Sequence, residues 1–380
     1  MLFSEISGNE KLIAKLKLEV QTGRIPHARM ISGHEGDAKL RIALAYVQYL
    51  MCENRTDNDS CGVCKACVKN VKLIHPDVHF SFPVVPKKPN DKPTSNDYLT
   101  EWRKAVLSDQ HLNLVDWLNT INAENKQGNI TAEECKSILS KLGLKPFESD
   151  KRLLLMWLPE YLGGVGNSLL KIMEEPPDKT YFVLVTGKME NILPTILSRV
   201  QLNRVFQYSS SEIKAELMKL DIEEKMADNL SFMSVGNLNS AIKLIDHSHE
   251  AFDPTEHFQQ WMRFCFKYQI PEIFKWTDST AALGRENIKA FLSYALSLVR
   301  ECLATRMSPD YEIKLGEKEA EFVRNFSRAL QFTNIETLYV EINRTIGEIE
   351  RNANPKITLL NLSIELGTAF TRPKKAQSLT

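Results

Sequence analysis

The sequence predicts an α/β domain, a parallel sheet with helices on both faces, followed by helical segments. Three observations carry this. The runs Leu153-Leu154-Leu155-Met156-Trp157-Leu158 and Tyr181-Phe182-Val183-Leu184-Val185 are continuously apolar, as strands of a sheet covered on both faces are. Strand candidates alternate with helical spacing over about 1–207, the order of a doubly wound domain. After Tyr208 no convincing strand recurs.

In chain order, Asn9 to Gln21 reads as an amphipathic helix, with Leu12, Leu16 and Val20 at i, i+4, i+8 and Gly23 as its stop. Ala28 to Ser32 is a short strand, Gly33 to Lys39 a loop, and Leu40 to Met51 an apolar helix. Asp77 to Val85 is a further strand, leading into a loop marked by Pro83, Pro86, Pro89 and Pro93. Two or three helices follow, the last starting at Thr131 with Glu134 three residues on, a capping box, and stopping at Gly143. Between the apolar strands, Asn167 to Glu175 reads as a helix stopped by Pro176-Pro177. Val200 to Phe206 is a weaker strand. Ser211 to Asp246 looks like a small helical domain with Gly236 between two helices, and Phe252-Asp253-Pro254 is a linker. The remainder is helical, including Asn287–Cys302 and Glu317–Ala329, with a basic tail at Arg372-Pro373-Lys374-Lys375.

The chain has 380 residues, 48 Lys+Arg against 48 Asp+Glu, and is 43% hydrophobic. That balance excludes a disordered chain, a collagen-like repeat and a protein held on DNA by bulk charge alone. No basic segment followed by an apolar run opens the sequence, so no signal peptide is expected. No run approaches the ~20 apolar residues of a membrane span. The expectation is a cytoplasmic, reduced protein, with Cys135, Cys265 and Cys302 as buried small hydrophobes.

Cys52, Cys61, Cys64 and Cys67 form C-x8-C-x2-C-x2-C. The x2 spacing lets neighbouring thiolates reach one ion, and four thiolates in a tetrahedron suit a closed, structural zinc site. Lys65 and Lys69 can offset the charge of the tetrathiolate. An iron–sulfur cluster fits less well: the fourth cysteine of the ferredoxin run would fall at Val71. His75 reads as a structural residue of the His75-Pro76-Asp77 turn rather than a fifth ligand.

Gly33-His34-Glu35-Gly36-Asp37-Ala38-Lys39-Leu40 lies between a strand and a helix, where a phosphate loop G-x-x-x-x-G-K-[ST] would stand. Gly33, Gly36 and Lys39 remain of a nucleotide loop that reads as inactive. Ala38 puts a Cβ where the second glycine lets backbone approach phosphate, Asp37 adds a negative charge, and Leu40 lacks the hydroxyl for magnesium. The strand ending at Trp157-Leu158-Pro159-Glu160 places Trp157 and Leu158 where the magnesium-binding and water-activating carboxylates belong. Glu160 is the nearest acid and reads as a turn or helix-start residue. Further on, Leu197-Ser198-Arg199 ends a short helix between two strands. Arg199 is either a solvated helix-end residue or a guanidinium reaching a neighbour's γ-phosphate.

These residues occur in one order with Gly23-Arg24-Ile25-Pro26-His27-Ala28, His75-Pro76-Asp77 and Asn167-Ser168-Leu169-Leu170-Lys171-Ile172-Met173-Glu174-Glu175-Pro176-Pro177. Together they resemble the delta-prime family of subunits of the bacterial DNA polymerase III clamp loader, specifically over 1–207. The match is looser in Gly236-Asn237-Leu238-Asn239-Ser240-Ala241 and Arg351-Asn352-Ala353-Asn354-Pro355-Lys356.

The resemblance implies an AAA+ domain at 1–207, with a zinc module at 52–67 and a helical insertion at about 86–143. It also implies a lid at 208–250, a collar at 255–370 and a flexible tail at 371–380. It implies a subunit of the polymerase complex without ATPase of its own, ATP binding being doubtful, that supplies Arg199 and Ser198 in trans. The expected partners are the motor and delta-type subunits, and through the complex the sliding clamp and primer–template DNA. Val200 stands where the family usually has Cys, and Asn239 where motors carry a phosphate-sensing Arg. The alternatives are an ATP-binding motor of the same complex, and a zinc-dependent scaffold unrelated to replication.

Overall fold

The computed structural model describes residues 1–88, 91–123, 126–245, 253–308, 311, 313, 315, 317–350 and 353–371. They divide into two units, Met1–Glu212 with Gly236–Asn239, and Ile213–Val235 with Ser240–Thr380.

The first unit holds a five-stranded, all-parallel sheet. Its strands are β1 (Ala28–Ser32), β2 (Val78–Ser81), β3 (Arg152–Trp157), β4 (Thr180–Thr186) and β5 (Gln201–Arg204), in the order β2-β3-β4-β1-β5. Every residue of β3 is buried, the outcome expected of a continuous apolar run between two helical layers. On one face Ala28, Met30, Leu154, Met156, Phe182 and Leu184 pack with Cys135, Ile138, Leu169, Ile172 and Ile196. The other face is covered by α2 (Lys39–Met51), which touches β1, β3 and β4. Helix α1 (Glu10–Gln21) packs on α2 and buries Ile13, Leu16 and Val20. Gly23 follows at φ +69°, a left-handed stop that favours glycine.

The remaining helices of this unit are α3 (Lys65–Val71), α4 (Leu99–Ser108), α5 (Leu114–Thr120), α6 (Ala132–Gly143), α7 (Leu170–Glu174) and α8 (Pro194–Leu197). Three local expectations are corrected. The strand expected over Asp77–Val85 keeps only Val78–Ser81 of β2, because Phe82 N–H donates to Ser95 Oγ at 3.0 Å and the chain leaves the sheet. Beyond it, Val84 pairs with Asn129 in a single antiparallel bridge. The capping box at α6 is half formed. Thr131 Oγ1 accepts from Glu134 N–H at 3.1 Å, but the buried Glu134 carboxylate accepts from Ser95 N–H at 2.8 Å instead of reaching back. The stretch expected as a helix over Asn167–Glu175 is 3₁₀ up to Leu169 and α-helical only over Leu170–Glu174.

The stretch 86–143 packs in two ways. Helix α6 belongs to the sheet core through Cys135, Ile138 and Leu142. Helices α4 and α5 instead join an aromatic cluster in which Trp102 stacks on Phe82 at 4.3 Å and lies 5.5 Å from Trp117.

The second unit is helical among the described residues. Its helices are α9 (Ser210–Met218, whose first residues lie in the first unit), α10 (Glu224–Met233) and α11 (Leu238–Ile245, likewise shared). They continue with α12 (Pro254–Phe266), α13 (Ile270–Ala281), α14 (Arg285–Met307), α15 (Glu317–Ala329), α16 (Phe332–Glu350) and α17 (Pro355–Thr371). Its core gathers Phe258, Trp261, Trp276, Phe291, Leu338 and Leu362. Trp261 and Trp276 stack at 4.8 Å, and Trp261 Nε1 donates to Ser363 Oγ at 2.9 Å, the partner a buried indole N–H requires. Cys135, Cys265 and Cys302 are buried and free. Asp253 and Pro254 start α12, Asp253 capping it, whereas Phe252, Arg351, Asn352 and the tail 372–380 lie outside the described residues. No helix among the described residues is long and apolar enough to cross a membrane.

Candidate functional site

In parallel α/β sheets ligands sit beyond the carboxyl ends of the strands, where the strand order reverses. Here that point is β1, flanked by β4 and β5. The loop 33–38 leaves β1 there, with Gly33 N–H donating to Thr186 O at 3.2 Å and Val205 N–H to Ser32 O at 2.7 Å.

The chain fills this cradle itself. Asp37 is buried, and its Oδ1 accepts from the Lys39 backbone N–H at 2.9 Å, at the amino end of α2. An anion at that place is what a phosphate loop provides for, and the carboxylate stands in its stead. The Lys39 ammonium folds back onto Asp37 Oδ1 at 3.3 Å and also donates to His34 O. Burial raises the Asp37 pKa, against the pull of Lys39. A Cβ built on Gly33 would collide with the Asp37 carboxylate. Gly36, at φ +72°, is where Asn237 closes in: a Cβ there would strike its side chain, and Leu238 N–H donates to Gly36 O at 3.1 Å. Glycine serves here the approach of protein to protein.

The strand ends tell the same story. Trp157 is fully buried 5.0 Å from Trp102 of α4, and Leu158 takes φ +58°. Glu160 lies in a 3₁₀ turn and accepts from Thr186 Oγ1 at 2.8 Å and Gly187 N–H at 3.3 Å. Burial raises its pKa. Asn239 Nδ2 donates to His111 O at 3.0 Å and to Asp116 Oδ2 at 2.8 Å. Sequence reasoning missed Asn237 and the role of Asp37 as an internal anion, because both depend on contacts that no local spacing announces.

Arg199 follows α8 and Ser198. Its side chain is 30% exposed and its guanidinium pairs with Glu174, Nε donating at 2.6 Å. Nη1 donates to Thr195 O at 2.7 Å and to Ser198 Oγ at 3.1 Å. Val200 is partly buried against the sheet core. The arginine is thus held by its own backbone and by one exposed carboxylate.

The four cysteines converge from three places: the end of α2, the loop 53–63, and the start of α3. Their ligand atoms lie within 4.8 Å of one another. Cys52 and Cys61 Sγ are 3.6 Å apart, Cys61 and Cys67 3.9 Å, and Cys52 and Cys64 4.0 Å. These separations are far too long for disulfides and match the ~3.8 Å edge of a tetrahedron with metal–sulfur bonds of ~2.3 Å. Backbone N–H groups of Cys61, Cys64 and Cys67 point at Cys52, Cys61 and Cys64 Sγ at 3.3 to 3.4 Å, which suits thiolates. Burial opposes ionisation of Cys61, but the N–H groups of Cys64 and Val63 outweigh it and bring its pKa to about 7. The cluster could hold a metal ion. His75 stays outside it: Nδ1 accepts from Asp77 N–H at 3.2 Å, a turn contact. Asp77 in turn caps residues 147–149, accepting from Glu148 and Ser149 N–H at 2.8 Å. Lys69 pairs with Glu148.

The sequence model of the family described as DNA polymerase III, delta subunit, matches residues 8–208, just over half of the chain. The chain belongs to that family. As a member of the DNA polymerase III delta-subunit family it is 25% identical over 226 residues to "DNA polymerase III subunit delta'" of Bacillus subtilis, covering 59% of this chain and 55% of that one. It is 25% identical over 181 residues to the delta' subunit of Yersinia pestis (47% and 41%). It is 26% identical over 198 residues to "DNA polymerase III subunit gamma/tau" of Mycobacterium tuberculosis (52% and 27%). The chain thus spans between about a quarter and just over half of the length of these relatives.

Proposed function

We propose that this chain is a non-hydrolysing AAA+ subunit of the DNA polymerase III clamp loader, acting during DNA replication on a neighbouring ATPase subunit. The observation that carries the reading is the filled cradle. Asp37 Oδ1 pairs with Lys39 at the amino end of α2, where we place the phosphate cradle, and we read the buried Trp157 as standing where a metal-binding carboxylate would be. A buried carboxylate at that place and the lack of a second carboxylate at Trp157 support the reading that the chain does not hydrolyse ATP.

Arg199, with Ser198 beside it, is the group we assign to the neighbour's nucleotide. A guanidinium held by Thr195 O needs only to exchange Glu174 for a phosphate oxygen, one exposed anion for another. Its charge then stabilises the transition state in trans. The cysteine cluster we assign to one structural zinc: four ligands complete the shell and leave no open position for catalysis. We further read 1–207 as the AAA+ domain, 208–250 as the lid and 255–370 as the collar. The partners are then the motor and delta-type subunits, with clamp and primer–template DNA reached through the complex. In a reconstituted complex, Arg199→Ala should leave assembly intact and lower DNA-stimulated ATP turnover. Undiminished turnover would remove the finger assignment.

A further inference from the structure

Helices α4 and α5 have no part in the function proposed above. They form a segment that leaves the sheet and returns through one door: Val84 N–H donates to Asn129 O at 2.9 Å and Asn129 N–H to Val84 O at 3.0 Å. The described residues between, 85–88, 91–123 and 126–128, form an excursion from the end of β2.

Of the excursion's several attachments, three involve the end of β3, the loop 33–38 and the segment 236–239. Its base is aromatic, with Trp102 on Phe82 and on Trp157 at the end of β3. Trp157 therefore serves as the footing of the excursion. Its second attachment is at the start of α5, where Asn113 donates to Glu35 in the loop 33–38. The third is to Tyr208 and the segment 236–239 of the same unit. His111 Nε2 pairs with Tyr208 Oη at 3.2 Å. Asn239, 3% exposed, spends both amide hydrogens on this segment, on His111 O and Asp116 Oδ2. Asn237 and Leu238 meanwhile close on Gly36.

We propose that helices α4 and α5, with the turn 109–113 between them, are a clasp that fastens the segment 236–239 over the loop 33–38. In a nucleotide-binding chain the ligand itself can hold such a loop and the following segment together. On the proposed reading that the loop 33–38 holds no nucleotide, the clasp supplies that connection in a covalently tethered form. Its consequence is rigidity: the loop 33–38, Tyr208 and the segment 236–239 move as one body. A buried amide whose two hydrogens both end on the clasp loses its partners when the clasp lifts, and that cost keeps it shut.

The test is amide hydrogen exchange on the full chain, followed by mass spectrometry. Two insertion-side substitutions, His111→Phe and Asp116→Ala, remove the attachment to Tyr208 and one partner of Asn239 while sparing the aromatic base. A second variant replaces 85–128 by an Asn-Gly turn across the Val84–Asn129 bridge. In the double substitution, exchange in 33–38 and 236–239 should rise about tenfold or more, with β3 and β4 unchanged. The turn variant, if it folds, should show the larger rise. Exchange in 33–38 and 236–239 that stays at the original rate in the double substitution overturns the clasp. So does a rise spread equally over β3 and β4, because that signals general unfolding.

Discussion

Asp37 and Lys39 are the residues on which the chemistry turns. Their pair is almost fully buried, with side-chain exposures of 0% and 11%. Breaking a buried pair by removing one partner leaves an uncompensated charge. Lys39→Met should therefore destabilise the chain by about 3 kcal/mol in urea unfolding, and adding Asp37→Asn should restore most of the loss. A lysine kept for binding phosphate predicts the opposite pattern, lost ligand affinity without lost stability. A second residue sets a pH dependence. His257 in α12 is half-buried against Trp276 at 4.9 Å, and its desolvation lowers its pKa from 6.5 to about 4. The folded state binds this proton less well than the unfolded state, so its contribution is complete above pH 6.5 and lost as pH falls towards 4. The loss is at most ~3 kcal/mol. Urea midpoints of the second unit should fall over that window, and His257→Gln should flatten the slope; an unaltered slope contradicts the assignment.

At the scale of elements, the cysteine module does more than close on itself. Its loop 55–60 holds the start of the chain: Asp59 accepts from Phe3 N–H at 3.2 Å and Ser4 N–H at 2.9 Å. Lys17 and Gln21 of α1 donate to Asn58 O and Asp57 O at 2.8 and 2.7 Å. Metal and fold are coupled in such sites. Elemental analysis should find one zinc per chain. Chelation, or Cys64→Ser, should speed hydrogen exchange in residues 1–6 and α1 while leaving β3 and β4 protected. Iron in place of zinc, or exchange confined to the cysteines' own loop, contradicts this.

The elements also show what a sequence can disclose. The runs of β3 and β4 were legible because burial on both faces leaves an unbroken apolar signature. Asp77–Val85 reads as one strand because Phe82, Val84 and Val85 are as apolar as strand residues, yet Phe82 packs on Trp102, Val84 bridges to Asn129 and Val85 O accepts from Tyr98 Oη. The Thr131–Glu134 pair carries the spelling of a capping box, but Ser95, distant in sequence, captures the carboxylate. Spacing exposed the four cysteines, since their geometry is local. It could not show Asn239 meeting Asp116 across 123 positions.

For the whole molecule, charge balance acquires a meaning. A chain with 48 cations and 48 anions gains little from the phosphate backbone by itself. It suits a subunit whose work is done through protein contacts, with DNA held by an assembly. The central claim is that this chain gives up its own nucleotide chemistry and lends Arg199 to a neighbour's. The most direct measurement is DNA-stimulated ATP turnover of the reconstituted complex carrying Arg199→Ala, beside turnover of the isolated chain. The account predicts no turnover by the isolated chain above background. It also predicts a complex of unchanged stoichiometry whose affected site is slowed about 10²-fold or more. Full turnover in the Arg199→Ala complex, or robust hydrolysis by the isolated chain that disappears in Lys39→Ala, would contradict it.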